Sequence, residues 1–255
     1  MPGIHLRDAR GPQGARLYAV GDVHGRLDLL TAMHRAIAAE IAREGPADWR
    51  IVHLGDYIDR GPDSSGVLDF VIAARTQDPR NIVLPGNHEA GLLDFLSDPR
   101  EDSLFVRFGG VQTAQSYGVD LLGGGTIGEG RRALLEAIPR AHVETLLDLP
   151  FSVEFGDFFF CHAGIRPGVP LSRQTPHDLI WIRDEFLGHA GLHPKVIVHG
   201  HTPQAEPEIL PNRIDVDTLA WKSGRLTALV VDGAQKHVLQ VCEDGSVQRR
   251  EAVTP

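Results

Sequence analysis

The sequence predicts an α/β fold with neighbouring parallel strands, and three observations predict it. Short apolar runs of strand length alternate with stretches of helical period. These runs end in turns rich in Gly, Asp, Asn and His. Late in the chain, Asp232-Gly233 and Asp244-Gly245 separate further apolar runs, which is a hairpin signal.

The elements follow in order. Arg16–Val20 is a strand-length apolar run that stops at Gly21-Asp22. Leu30, Met33, Ile37 and Ile41 then recur at helical spacing, and Gly45-Pro46 breaks the pattern. Arg50–Leu54 is a second run, ending at Gly55-Asp56. A helix fits Ser64–Arg75, with a cap at its start after Pro62-Asp63. The third run, Asn81–Leu84, ends at Pro85-Gly86-Asn87. Strand, helix and strand in this order make a βαβ unit. A helical insertion is expected over about 89–149, interrupted by Gly123-Gly124-Gly125 and by Pro139. Strands return at Asp157–Phe160, before Cys161-His162, and at Lys195–Val198, before His199-Gly200-His201. Arg213–Val216, Leu226–Val231 and His237–Val241 complete a β-meander. No repeat or linker divides the chain, so residues 15–255 are expected to form one domain. Residues 1–14, polar with Pro and Gly, are expected to be a flexible arm.

Bulk properties exclude several classes. A net charge of -9 argues against gripping a nucleic-acid backbone, which takes a basic face. No apolar run approaches the roughly 18 residues of a membrane span, and the start lacks the apolar core of a signal peptide. A cytoplasmic location is therefore expected, with no nucleic-acid or membrane partner. Two cysteines, Cys161 and Cys242, make no disulfide framework. Cys161, beside Phe158–Phe160, reads as core. Thirteen His and 34 acidic residues offer many metal ligands, so position rather than number has to decide.

Position is informative. Five strand ends carry Asp22 with His24, Asp56, Asn87, His162 and His201. Carboxyl ends of parallel strands line one crevice, the usual ligand site of an open α/β sheet. Any one of these residues is explained as well by a solvated turn, a helix cap or a core histidine. Five endings of ligand type in one chain favour a metal site. Oxygen and imidazole donors without thiolate suit Mn, Fe, Zn or Co.

The blocks GDVHG (Gly21–Gly25), GDYIDRG (Gly55–Gly61), GNHE (Gly86–Glu89), HAG (His162–Gly164) and GHT (Gly200–Thr202) resemble the signature of the bacterial serine/threonine phosphoprotein phosphatases, within the calcineurin-like metallophosphoesterases. The blocks match in order and approximate spacing over about Leu17–Thr202, and Trp181-Ile182-Arg183 resembles a further block of the small bacterial and phage-type members. The resemblance implies a calcineurin-like fold, with a central β-sandwich flanked by helices. It also implies two divalent ions, expected to be Mn²⁺ with Fe or Zn as alternatives. One would be held by Asp22, His24 and Asp56, the other by Asp56, Asn87, His162 and His201. The ions would activate a bridging hydroxide for attack on phosphorus. Arg60 and Arg183 would clamp phosphate, and His88, oriented by Asp59, would protonate the leaving oxygen.

The implied activity is hydrolysis of phosphoserine or phosphothreonine in proteins, with phosphotyrosine open as a further substrate. Small phosphate esters remain open as substrates. The alternative is a dinucleoside polyphosphate hydrolase acting on diadenosine tetraphosphate. Asp59, and Glu89 in GNHE, are the features that favour the protein phosphatase. A metal-dependent nuclease and an inactive binding module fit less well, the latter because every expected ligand position is filled. Two local expectations remain. Leu104–Gly110 is expected to form a wall or lid of the cleft. Leu219 stands where the family usually has Gly; if that Gly serves a positive φ or a close approach, the loop Asp215–Ala220 must differ, and no role is assigned to Asp217 or Thr218. His199 either faces away from the ions or supports them from behind.

Overall fold

The computed structural model describes residues 3–252. The first half is β1 (Ala15–Val20), α1 (Leu27–Glu44), β2 (Asp48–His53), α2 (Ser64–Gln77), β3 (Asn81–Val83) and α3 (Asn87–Ser97). Then come α4 (Leu104–Arg107), α5 (Gly110–Ser116), α6 (Ile127–Ala137) and α7 (Arg140–Leu147). The second half holds β4 (Ser152–Phe155), β5 (Phe158–Cys161), α8 (Pro176–Trp181), α9 (Asp184–Leu187), β6 (Val196–His199), β7 (Glu208–Ile209) and β8 (Arg213–Asp215). It closes with α10 (Ala220–Ser223), β9 (Arg225–Asp232), β10 (Gln235–Cys242) and β11 (Val247–Glu251).

Two sheets result, ordered β11-β10-β9-β1-β2-β3 and β4-β5-β6-β8-β7. Their inner faces share one core. The period-2 alternation of strand side chains sends Leu17, Ala19, Leu229 and Val231 from the first sheet to meet Phe158, Phe160, Val196 and Val198 from the second. The intervening residues Tyr18, Val20, Ala228 and Val230 face the opposite way, onto Leu29, Leu30, Met33 and Ile37 of α1. Phe159, Cys161 and Ile197 cover the other side with Leu179, Ile182 and Phe186. This is the β-sandwich with flanking helices that the resemblance implied.

Local chemistry sets the helix ends. Gly45 stops α1 in the left-handed region at φ 58°, with its N–H returned to Ile41. Asp63 caps α2, its carboxylate accepting from Gly66 N at 2.8 Å. Pro139 separates α6 from α7.

Several details differ from the sequence reading, which named no strand at β4, β7 or β11. The meander is β9-β10-β11, all in the first sheet, whereas Arg213–Asp215 pairs parallel to β6 in the second. Three residues carry no sheet assignment of their own, so only tertiary pairing places them. The N-terminal segment, expected to be a flexible arm, lies against the sandwich over residues 3–14. Leu6 and Ala9 are buried, and the N–H groups of Ile4, Leu6 and Gly11 donate to His193, Pro211 and Gly233. Polar composition concealed Leu6 and Ala9, which both reach the shared core, with Ile4 packed against it. Met1 and Pro2 lie outside the described residues.

Register positions the site. Val20 pairs with His53 and His53 with Val83, while Phe160 pairs with Val198 and His199 with Asp215. Six parallel strands thus release their following turns at one edge of the sandwich. Among the described residues no helix is long and apolar enough to cross a membrane.

His34 of α1 and His53 of β2 stack with 7° between their rings and Nε2 atoms 3.2 Å apart. Burial lowers His34 to about 4 and drives His53 well below its ordinary value. Their folded pKa values are depressed, so this stability is present above the unfolded value near 6.5. It is lost as pH falls toward 4, where only the unfolded chain takes up protons readily. The urea midpoint should therefore drop between pH 6.5 and 4.5, and His34→Leu should flatten that decline. An unchanged slope in the variant would remove His34 from the account.

Candidate metal centre

The site is assembled from the turns after β1, β2, β3, β5 and β6, and a sixth turn, after β8, adds Asp217. The carboxylate of Asp56 sits at the middle. Oxygen and nitrogen atoms of His24, Asp56 and His88 lie within 4.8 Å of one another, and so do those of Asp56, His162 and His201. Asp56 thus belongs to both groups. His24 Nε2 is 3.5 Å from Asp56 Oδ2 and His162 Nε2 is 3.4 Å from Asp56 Oδ1. Asn87 Oδ1 joins the second group, 3.0 Å from His162 Nε2 and 2.8 Å from His201 Nδ1. Asp22 accepts the His201 N–H at 3.2 Å through Oδ2 but falls outside both tight groups. His88 falls inside the first, although the sequence reading gave it no ligand role.

The donor set fits divalent ions. His24 Nδ1 and His162 Nδ1 donate to the carbonyls of Ile58 (2.7 Å) and Leu54 (2.9 Å). Each imidazole then presents its Nε2 lone pair to Asp56. Burial, reinforced by Arg60 and Arg183, keeps these rings neutral: His162 is lowered to about 4, and His24 and His201 are also lowered. Asp22 and Asp56 are raised, first by burial. Neighbouring carboxylates push them further, Asp217 and Asp56 acting on Asp22 and Asp217 acting on Asp56. Neutral imidazoles beside buried carboxylates that repel one another make a pocket whose charge a cation would balance. Gly86 and Gly200 leave room for the carboxylates: a Cβ there would stand 2.1 Å from an oxygen of Asp56 or Asp22.

Backbone strain concentrates here. Among the described residues six non-glycine residues have positive φ: His24, Asp56, Asp59, Arg60, His201 and Leu219. Five of them are residues that the sequence pattern assigned to the site. Such conformations cost on the order of 1–3 kcal/mol each and persist only where surrounding contacts impose them.

Glu89 imposes part of it, a role the sequence reading missed. Its carboxylate is wholly buried and accepts N–H groups from Asp56 (2.9 Å), Tyr57 (2.8 Å), Ile58 (3.3 Å) and Gly86 (2.7 Å). The Gly86 contact is the capping-box arm at the start of α3. One side chain therefore ties the GDYIDRG and GNHE turns together. A cap pattern in GNHE was the available signal.

A second support stands behind His88. Its Nδ1 is 2.6 Å from Asp59 Oδ2, and Thr113 Oγ1 donates to Asp59 Oδ1 at 2.6 Å. Burial raises Asp59 to about 8 and lowers His88. Thr113 sits in α5, and nothing in its local sequence pointed to the site. The two arginines flank the centre. Arg60 reaches His24 Nε2 (3.1 Å) and His88 Nε2 (3.0 Å), and Arg183 Nε reaches His201 Nε2 (3.0 Å). His199 faces away, toward the Gly200 carbonyl and Arg213. Cys161 is buried and donates to the Gly164 carbonyl. Leu219 takes a left-handed backbone, φ 57° and ψ 45°, the conformation that glycine adopts most readily. Asp217 Oδ1 accepts the Leu219 N–H at 2.9 Å and helps hold a conformation that costs a side-chain-bearing residue about 1–2 kcal/mol.

An α/β sandwich with this donor set at its strand ends defines a metal-dependent hydrolase. Residues 15–221 match the sequence model of the calcineurin-like phosphoesterases. The chain belongs to that family. It is 27% identical over 82% of its length to a bis(5'-nucleosyl)-tetraphosphatase PrpE [asymmetrical] of Anoxybacillus flavithermus, covering 88% of that protein. Its fold is similar to that of a candidate diadenosine tetraphosphatase, with a TM-score of 0.62, 21% identity, and coverage of 96% and 97% of the two chains. It also resembles a cold-active protein tyrosine phosphatase, with a TM-score of 0.56, 15% identity, and coverage of 96% and 82%. The family implies divalent metal ions.

Glu89→Gln should cost about 2–3 kcal/mol, because a neutral amide replaces a charged acceptor of several N–H groups. It should also weaken metal binding about 10–100-fold, as loss of a supporting contact behind metal ligands does. Denaturant titration and metal competition would check both. Unaltered metal affinity would show that the Glu89 tie does not govern the centre.

Proposed function

We propose that this chain hydrolyses dinucleoside polyphosphates such as diadenosine tetraphosphate at a centre of two divalent ions. The carrying observation is the placement of Arg60 and Arg183. They flank the shared Asp56 from opposite clusters, and among the described residues neither has a carboxylate partner. A polyphosphate offers several anionic groups to such a span, and guanidinium forks match phosphate oxygens. The PrpE relatives, named for bis(5'-nucleosyl)-tetraphosphate, support the same reading.

Asp22, His24 and Asp56 would hold one ion, and Asp56, Asn87, His162 and His201 the other, with Mn²⁺ the first choice and Fe or Zn compatible. When bound, the ions supply Lewis acidity toward phosphate and make water a nucleophile near neutral pH. With the Arg60 fork drawn from His88 Nε2 to a phosphate oxygen, that nitrogen would take a proton from solvent water. His88 delivers it to the leaving oxygen, while Asp59 balances the charge at Nδ1.

The phosphoserine and phosphothreonine reading keeps the same machinery and loses its two sequence arguments. Asp59 lies behind His88, Glu89 lies beneath the turns, and both are wholly buried. Neither side chain reaches a substrate, so neither discriminates a nucleotide from a phosphopeptide.

The test compares kcat/KM for diadenosine tetraphosphate and for a phosphoserine peptide in the Mn²⁺-loaded protein, with Asp56→Asn as the blank. Preference for the dinucleotide is expected, and preference for the peptide would return the chain to the protein phosphatases. His88→Asn should lower kcat about 10²–10⁴-fold with both ions retained by elemental analysis. Loss of an ion would instead make His88 a ligand, as its place in the first tight group permits.

A further inference from the structure

We propose that Phe108 and Trp221 form a nucleobase subsite beside Arg60, where one base of the dinucleotide stacks while its phosphates reach the guanidinium. The inference rests on the dinucleotide reading above and names the residues that would recognise the base.

The first ring comes from the end of α4. Gly109 takes φ 117° and its carbonyl accepts the Arg60 N–H at 3.4 Å. A Cβ at this position would stand 2.4 Å from Arg60 N, so only glycine lets the α4–α5 turn rest on the GDYIDRG loop. That contact fixes the preceding residue, Phe108, near Arg60. Phe108 is not drawn into the core: it stays 47% exposed, with the Arg107 guanidinium 5.5 Å from its ring centroid. An exposed aromatic therefore stands one residue from the backbone contact with Arg60.

The second ring comes from the other side. Leu219 holds its left-handed conformation at the start of α10, and the turn delivers Trp221, whose ring centroid is 5.6 Å from the Arg60 guanidinium carbon. The indole N–H has no partner among the described residues. Arg60 therefore contacts the residue after Phe108 through its backbone and the ring of Trp221 through its side chain.

The chemistry of this rim is specific. Two aromatic rings accompany Arg60 and Arg107, and among the described residues neither arginine pairs with a carboxylate. Planar π surface beside cationic charge complements a ligand that is flat at one end and anionic at the other, as a nucleotide is. A phosphoserine side chain places no planar group near its phosphate and would leave the rings unused.

Stacking of a base on an aromatic side chain contributes about 1–3 kcal/mol, so Phe108→Ala should raise KM for diadenosine tetraphosphate about 10-fold. The loss should fall on KM rather than kcat, and Phe108→Trp should restore it. Trp221→Ala should act in the same direction, and Trp221→Phe should retain most of the affinity. Inorganic tetraphosphate, which carries charge without a base, is the discriminating probe. Its inhibition constant should not follow the KM of Phe108→Ala. Equal increases would show that Phe108 merely supports Arg60, and an unmoved KM would show that no base stacks there; either result overturns the subsite. Wild-type protein that does not turn over the dinucleotide would overturn the functional reading and the subsite together. Turnover with an unresponsive Phe108 would overturn the subsite alone.

Discussion

The Glu89 carboxylate is the contact on which the centre depends. Asp56 must stand at φ 53° to bring its two oxygens between the imidazole groups, and Gly86 must approach it within van der Waals distance. Neither condition is favourable for an isolated turn. A buried carboxylate that accepts four N–H groups from the two turns supplies the compensating interaction, and the same groups stabilise its charge. Burial together with Asp56 nevertheless raises Glu89 to about 7. The support and the bridging group thus repel one another, and a cation between the turns would relieve both.

This arrangement explains why strain and function coincide. Left-handed conformations at His24, Asp56, Asp59, Arg60 and His201 turn side chains back over the strand ends, where extended backbone would carry them away. The sandwich can tolerate several such residues because its two sheets pack a continuous apolar core and hold the strand ends in register. Leu219 extends the pattern to the rim. Its conformation is held by Asp217, whose backbone N–H is in turn held by Asp215.

Both features that favoured a protein phosphatase, Asp59 and Glu89, are conspicuous within their motifs. They are conspicuous because they hold the motifs together. Buried support residues carry information about the centre and none about the leaving group, which meets only the rim. Phe108, Arg107 and Trp221 carry no motif, and only the fold brings the α4–α5 turn and the start of α10 to Arg60.

The sequence by itself determined the strands that carry the site, β1, β2, β3, β5 and β6, and the metal-type side chains at their ends. Periodicity is a local property, and Asp22, Asp56, Asn87, His162 and His201 each stand within a few residues of the apolar run that positions them. Tertiary structure decided what depends on pairing across the chain: the transfer of Arg213–Asp215 to the second sheet, the docking of Leu6, the Thr113 hydroxyl on Asp59 and the reach of Glu89 across two turns. It also decided which groups face solvent. Hydrogen bonds between residues about 30 to more than 50 positions apart, and the exposure of a ring beside an arginine, have no signature in local spacing. They exist only once the sheets have closed and brought the turns to one edge.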